Sequence, residues 1–225
     1  MPSQSVSRVR VGEEREPLAI IENFAGDPEA LRAAAAITPF APAGQHYPGI
    51  RASLPSGYLA AQLPLIANIV MREFGRCRRV HVVDASFSIV TRPADEIEVR
   101  QRLPHVDAYG RERIALVHYL SLDDGDGTAF FRHRSTGFET VDHARAPSYF
   151  SCLEQELRDA VEPPSGYIAG DTTLFERTAL VAARFNRALL YRSYVLHSGA
   201  ISPNAALAAD PLSGRLTVTG FFAID

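Results

Sequence analysis

Two histidines and an aspartate carry the strongest chemical signal in this 225-residue chain. The run Pro104-His105-Val106-Asp107 sets an imidazole and a carboxylate two residues apart. On extended backbone, positions i and i+2 point to the same face, so both side chains can reach one ion. A second histidine, His197, closes the apolar run ALLYRSYVL and precedes Ser198-Gly199. Two imidazoles and one carboxylate form a ligand set that suits Fe(II) and leaves coordination positions open. Further on, Arg215 and Thr217 share one face of the strand-like segment RLTVTGFFAI. A guanidinium fork beside a hydroxyl is suited to a ligand carboxylate. An arginine directed into a core needs such an anion, because a buried unpaired charge is costly.

These residues must be positioned by strands. From residue 79 onward, VHVVDASFSIVTR, IALVHYLSL, GTAFFRH, LVAARFN, ALLYRSYVLH and RLTVTGFFAI are rich in β-branched and aromatic residues. LVAARFN and ALLYRSYVLH read as a hairpin turning at Asn186-Arg187. Residues 147–161, PSYFSCLEQELRDAV, open with Pro and place apolar residues at helical spacing, which reads as a helical insertion. Upstream, residues 1–17 are polar and read as a frayed or edge segment, and PLAIIENF is a short strand. Asp27-Pro28-Glu29 favours entry into a helix through LRAAAAI. Residues 39–57 form a Pro- and Gly-rich loop, and a second helix spans about 57–75 with Pro64 as an interruption. The expected organisation is an N-terminal strand and helical extension over 1–78, packed on a core over 79–225. The fold class is mostly β, a sandwich or barrel with the N-terminal helices on one sheet.

Composition narrows the function classes. The net charge of −3 and pI near 6.2 give no basic face for nucleic acid. All 23 basic residues are arginine, so Schiff-base lysine chemistry is excluded. Cys77 and Cys152 form neither a CxxC pair nor a disulfide framework, and read as free thiols in a reducing compartment. No apolar leader or membrane-length span is evident, so a cytoplasmic location is expected. Among the other polar residues, His118 alternates with Tyr119 and faces out or packs under the helices if Tyr119 faces inward. His133 and Arg134 read as surface. Asp123, Asp124 and Asp126 read as a solvated turn. His46, His81 and His143 have no partner at ligand spacing, and Tyr191 reads as core.

The ordered set HVDAYGRERIALVHYLSLDDGDGTAFF, NRALLYRSYVLHSG and GRLTVTGFF resembles the prolyl-hydroxylase-like Fe(II)/2-oxoglutarate dioxygenases, in particular a bacterial branch of that superfamily. Those enzymes carry HxD, then a strand ending in Tyr-Leu-Asn and a Gly-Gly-x-Thr-x-Phe segment. A strand ending in the distal His follows, then a basic residue on the next strand. The resemblance covers roughly residues 103–225. It implies a double-stranded β-helix (jelly roll) with His105, Asp107 and His197 on Fe(II). It implies Arg215 on the distal carboxylate of 2-oxoglutarate, with Tyr119 and Thr217 in support. O2 is the oxidant and ascorbate an accessory reductant. The implied activity is hydroxylation of a small molecule or peptide, with no nucleic acid or membrane partner. The chain departs from the family at Ser121, where Asn is usual, and at Asp126-Gly127, where Gly-Gly is usual. It also separates His197 from Arg215 by 18 positions, through an inserted loop over 200–214. That spacing leaves Arg192 and Arg132 as alternative carboxylate-binding arginines. A cupin-like metal enzyme without 2-oxoglutarate and a non-catalytic jelly-roll binding protein are the rival classes; the cupin-like enzyme would need a ligand set richer in histidine and would not need Arg215.

Overall fold

The computed structural model describes residues 3–44, 47–75, 77–122, 125–159, 166–202, 205 and 207–225. His46, Asp123 and Asp124 lie outside them. The alternating apolar residues after Pro17 give β2 (Glu16–Glu22), which pairs antiparallel with the polar edge strand β1 (Ser5–Val11). Asp27 caps α1 (Pro28–Ile37): its carboxylate accepts from the Ala30 N–H at 2.9 Å, and Pro28 sits where no helical donor is needed. The segment read as loop contains two short strands, β3 (Ala41–Pro42) and β4 (Gly49–Ala52). The helix α2 (Tyr58–Glu73) continues through Pro64 and buries Ile66, Ile69 and Val70. Then follow β5 (Val80–Val90), the short helix α3 (Val99–Arg102), β6 (Arg113–Tyr119) and β7 (Gly125–His133). The chain ends with α4 (Ala146–Arg158), β8 (Phe175–Ala183), β9 (Ala188–Arg192), β10 (His197–Ala200) and β11 (Leu216–Ile224).

The protein is mostly β, with two antiparallel sheets. The larger has eight strands in the order β1-β2-β9-β6-β11-β5-β4-β3, and the smaller has three, β10-β7-β8. The first 78 residues supply both edges of the large sheet as well as α1 and α2. Alternation along β6 assigns the layers. Ile114 and Leu116 pack with Leu31, Ile66, Ile69 and Val70 of the helices. Ala115 and Tyr119 face the other way, toward Phe130, Val181 and Tyr191 between the sheets. Behind the small sheet, Phe131, Phe175 and Leu196 meet Tyr149 and Leu153 of α4. Each large apolar side chain buried in this way contributes about 1.5–3 kcal/mol. Among the described residues no helix is long and apolar enough to cross a membrane.

Three sequence expectations change. The proposed hairpin at Asn186-Arg187 is a crossover: β8 pairs with β7 in the small sheet, and β9 pairs with β2 and β6 in the large one. Likewise ALLYRSYVLH is not one strand, for the chain turns at Ser193–Leu196 and returns to the small sheet as β10. Alternation fixes which face of a strand is apolar, not which sheet the strand joins. His133, read as surface, is fully buried. Its ring nitrogens bond Thr136 Oγ1 at 2.9 Å and Glu156 Oε2 at 2.8 Å, tying α4 to β7.

Candidate metal centre

His105 and His197 form an isolated antiparallel bridge, with His105 N–H donating to His197 O at 2.9 Å and His197 N–H to His105 O at 3.0 Å. The Asp107 N–H donates to Ser193 O at 2.8 Å. The turn after β9 therefore holds the HxD segment in register against the start of β10, and cross-strand partners place their side chains on one face. Asp107 lies between the imidazoles: Oδ1 is 3.8 Å from His105 Nε2 and Oδ2 is 3.4 Å from His197 Nε2. One ligand atom from each residue lies within 4.8 Å of the others. Three ligands of one ion at about 2.1 Å each stand about 3.0–3.6 Å apart, so the widest pair must close by up to about 1–2 Å to complete the set.

The imidazoles are oriented for coordination. The Val195 carbonyl accepts from His197 Nδ1 at 2.9 Å, so the lone pair of the neutral ring lies on Nε2, facing Asp107. Tyr191 packs edge-on against the same ring, with centroids 4.8 Å apart. The His105 side chain is half exposed by surface area, but that surface opens into a concavity rather than onto a convex face. Enclosure by surrounding protein, followed by neighbouring His197, pushes its pKa down to about 4; Asp107 and a hydrogen bond to the Leu103 backbone act in the opposite direction. Its ring is thus a neutral ligand at pH 7. Burial, with Asp107 and Tyr119 nearby, holds the Tyr191 phenol well above its usual value.

These groups open on a cavity of about 780 Å³ between the sheets. Arg215, Tyr119 and Thr217 all line it. The Arg215 Nη2 donates to Gly127 O at 2.9 Å, and its Nε lies 4.0 Å from Asp126 Oδ2. That Nε is buried without a hydrogen-bond acceptor. Tyr119 Oη and Thr128 Oγ1 share a hydrogen bond of 2.7 Å, and Thr217 Oγ1 donates to Ser88 O at 3.2 Å. To serve a ligand carboxylate, the Thr217 proton must swing away from Ser88. Tyr119 can donate outward while Thr128 donates to it. Burial raises the Tyr119 pKa, which keeps that proton in place. The two alternative arginines are engaged elsewhere: Arg132 with Glu139 and Glu13, Arg192 with Glu16 and the carbonyls of Arg111 and Phe74.

Sequence reasoning missed Tyr47 and Arg51, which reach the cavity from the segment read as loop. The Arg51 guanidinium stacks on the Tyr47 ring at 4.7 Å. Burial pushes the Tyr47 phenol up to about 12, against the opposing pull of Arg215 and Arg51. The signal was present but short: Gly49-Ile50-Arg51-Ala52 pairs Arg51 with Ser88, which pairs with Thr217, which pairs with Tyr119. A second set, His133, Cys152 and Glu156, also brings ligand atoms together. Both His133 nitrogens already have protein partners, and none of the three residues lines the cavity. Cys77 and Cys152 are free thiols.

His118 packs under α2, behind the cavity wall. Its Nδ1 accepts from Tyr58 Oη at 2.8 Å and its Nε2 donates to Asn186 Oδ1 at 3.0 Å. Burial pushes its pKa down to about 4 from 6.5, with the Asn186 bond opposing. The unfolded chain therefore binds this proton first as pH falls. Stability is unaffected by this group above about pH 6.5 and is lost progressively down to about pH 4. At pH 4.5 the loss is about 2.5 kcal/mol relative to pH 7, at about 1.36 kcal/mol per pH unit. Urea unfolding at both pH values should show this difference shrink in His118→Gln. An identical pH dependence in the variant would contradict the assignment.

No curated protein matches the chain. Among solved structures, it resembles the non-heme alpha ketoglutarate dependent epimerase SnoN from nogalamycin biosynthesis, with TM-score 0.51, 13% identity, and coverage of 93% of this chain and 79% of that one. It also resembles the non-heme alpha ketoglutarate dependent carbocyclase SnoK from the same biosynthesis, with TM-score 0.50, 15% identity, and coverage of 94% and 81%. At such identities the likeness is one of fold. By a family model matching residues 2–222, the chain belongs to DUF6445, described as a family of unknown function.

Proposed function

We propose that the protein is an Fe(II)/2-oxoglutarate-dependent oxygenase on a double-stranded β-helix core over residues 79–225. His105, Asp107 and His197 hold the iron, and Arg215 holds the distal carboxylate of 2-oxoglutarate. The observation that carries this reading is the convergence of two imidazole nitrogens and one carboxylate, within 4.8 Å, on a cavity that also holds Arg215. The descriptions of SnoN and SnoK as alpha ketoglutarate dependent support the same cosubstrate here. The donor set fits the metal: two neutral nitrogens and one anionic oxygen suit Fe(II) and leave positions open.

Iron with 2-oxoglutarate and O2 supplies oxidation of a C–H bond, while 2-oxoglutarate leaves as succinate and CO2. The chain's own residues bind, orient and exclude. Asp107 offsets part of the metal charge. Val195 fixes the His197 tautomer, and Tyr191 buttresses that ring with a phenol that stays protonated. Arg215 offers its unpartnered Nε to the cosubstrate, and Tyr119 and Thr217 add hydroxyls once their protons turn inward.

A charge-assisted bond of this kind contributes about 1.5–3 kcal/mol. Arg215→Ala is therefore expected to weaken 2-oxoglutarate binding about ten- to hundredfold and to leave Mn(II) affinity nearly unchanged, as calorimetric titration would report. Unchanged 2-oxoglutarate affinity in Arg215→Ala would remove Arg215 from this role.

A further inference from the structure

Five arginines line the cavity against two carboxylates, Asp84 and Asp107, and Asp107 belongs to the candidate metal centre. Arg100, Arg102 and Arg113 have no place in the site described so far, and of these three Arg113 is the one with a buried nitrogen that lacks a partner. It opens β6 and lies in phase with Ala115, Val117 and Tyr119, the strand's cavity face. Its Nε is buried with no hydrogen-bond partner, and among the described residues no acidic side chain lies within 4.0 Å of its guanidinium. Arg113 as a whole is half-buried, so it is the enclosed Nε, left without an acceptor, that calls for an anion.

Backbone register sets Arg113 apart from Arg215. Thr217, two residues from Arg215, pairs with Tyr119, whereas Arg113 pairs with Ala223 at the other end of the same ladder. Six residues of strand separate Tyr119 from Arg113, about 20 Å at about 3.3 Å per residue. The metal centre lies between the two ends. Tyr191, which touches His197, pairs with Ala115, only two residues from Arg113. Between Arg113 and the centre the wall includes Ala115, Phe221, Val106 and the Tyr191 ring, with Asp84 beside Phe221 on the neighbouring strand.

We propose that Arg113 binds the anionic head of the substrate to be oxidised, and that this substrate is an amphiphilic acid whose apolar body lies along that wall toward His105 and His197. The identity of this ligand as the oxidised substrate rests on the function proposed above; the anion site itself rests on Arg113 alone. A carboxylate and a phosphate share the required chemistry, so octanoate and octyl phosphate are the probes, with octan-1-ol as the neutral control. Each is titrated calorimetrically into the full-length Mn(II)-bound protein, with and without saturating 2-oxoglutarate, for wild type, Arg113→Met and Arg113→Lys. Arg113→Met keeps the apolar stem, and thermal unfolding reports whether either variant remains folded.

At least one anion is expected to bind the wild type about tenfold or more tighter than octanol, and the tighter of the two identifies the head group. Arg113→Met should weaken it about ten- to hundredfold, and Arg113→Lys should recover part of that loss. Binding should persist under saturating 2-oxoglutarate. Anions no tighter than octanol, affinity unchanged in Arg113→Met, or displacement by 2-oxoglutarate would each overturn the proposal. Anion binding that depends on Arg113 in a protein that does not bind 2-oxoglutarate would uphold the anion site and defeat the cosubstrate reading instead.

Discussion

Asp107→Ala is expected to lower Fe(II) affinity by more than about 100-fold. Removing a group that merely orients a metal ligand costs about 10- to 100-fold, and Asp107 is itself the anionic ligand of the candidate set. Its carboxylate lies 3.8 Å from one imidazole nitrogen and 3.4 Å from the other, so the alanine leaves two adjacent neutral rings with no charge to offset a dication. Asp107→Asn keeps the shape without the charge and should fall between wild type and alanine. The backbone should hold in both variants, because Asp107 contributes its N–H to Ser193 O whatever its side chain. Anaerobic titration with Fe(II), or with Mn(II) as a stand-in, measures the effect. Wild-type affinity in Asp107→Ala would remove Asp107 from the centre.

Asn186→Ala is expected to cost about 3–5 kcal/mol of stability. Asn186 sits at the crossover between sheets with φ 60°, a left-handed conformation that asparagine tolerates better than alanine. Its side chain accepts from Ala25 N–H at 2.8 Å and from His118 Nε2 at 3.0 Å, and donates to Ala25 O at 2.9 Å. All three bonds are buried. Truncation leaves their partners unsatisfied, at about 1–3 kcal/mol for each group that finds no water. Asn186→Gly loses the same bonds without the backbone strain, so it should be about 1 kcal/mol less damaging. Because Asn186 N–H also donates to Tyr119 O, loosening here should be felt at the cavity wall. Urea unfolding at pH 7 separates the three proteins. A loss below about 1 kcal/mol in Asn186→Ala would show that the network has slack.

Those two residues also mark what the sequence made legible. The spacing of His105 and Asp107 declared a shared face, whereas His197, read as the end of one long strand, opens β10 after a turn; the structure brings the three ligand groups together. Spacing alone did not rank Arg215 against Arg132 and Arg192, because the distant carboxylates that engage them, Glu13 for Arg132 and Glu16 for Arg192, come close only in the fold. Asn186 read as a hairpin residue, since turn chemistry is local whereas the partners of β8 and β9 are not. Arg113 was within reach: counting back in twos from Tyr119 gives Val117, Ala115 and Arg113 on one face. Arg51 was harder to find, because a four-residue strand between a loop and a helix carries too little alternation to stand out.

One iron and one 2-oxoglutarate are expected to bind together at His105, Asp107 and His197. Anaerobic addition of Fe(II) and then 2-oxoglutarate to the full-length protein tests it most directly. The expected result is a weak visible charge-transfer band that saturates with one equivalent of each ligand per chain and is absent in Asp107→Ala. No band in the wild type, with neither Fe(II) nor 2-oxoglutarate retained, would contradict the account.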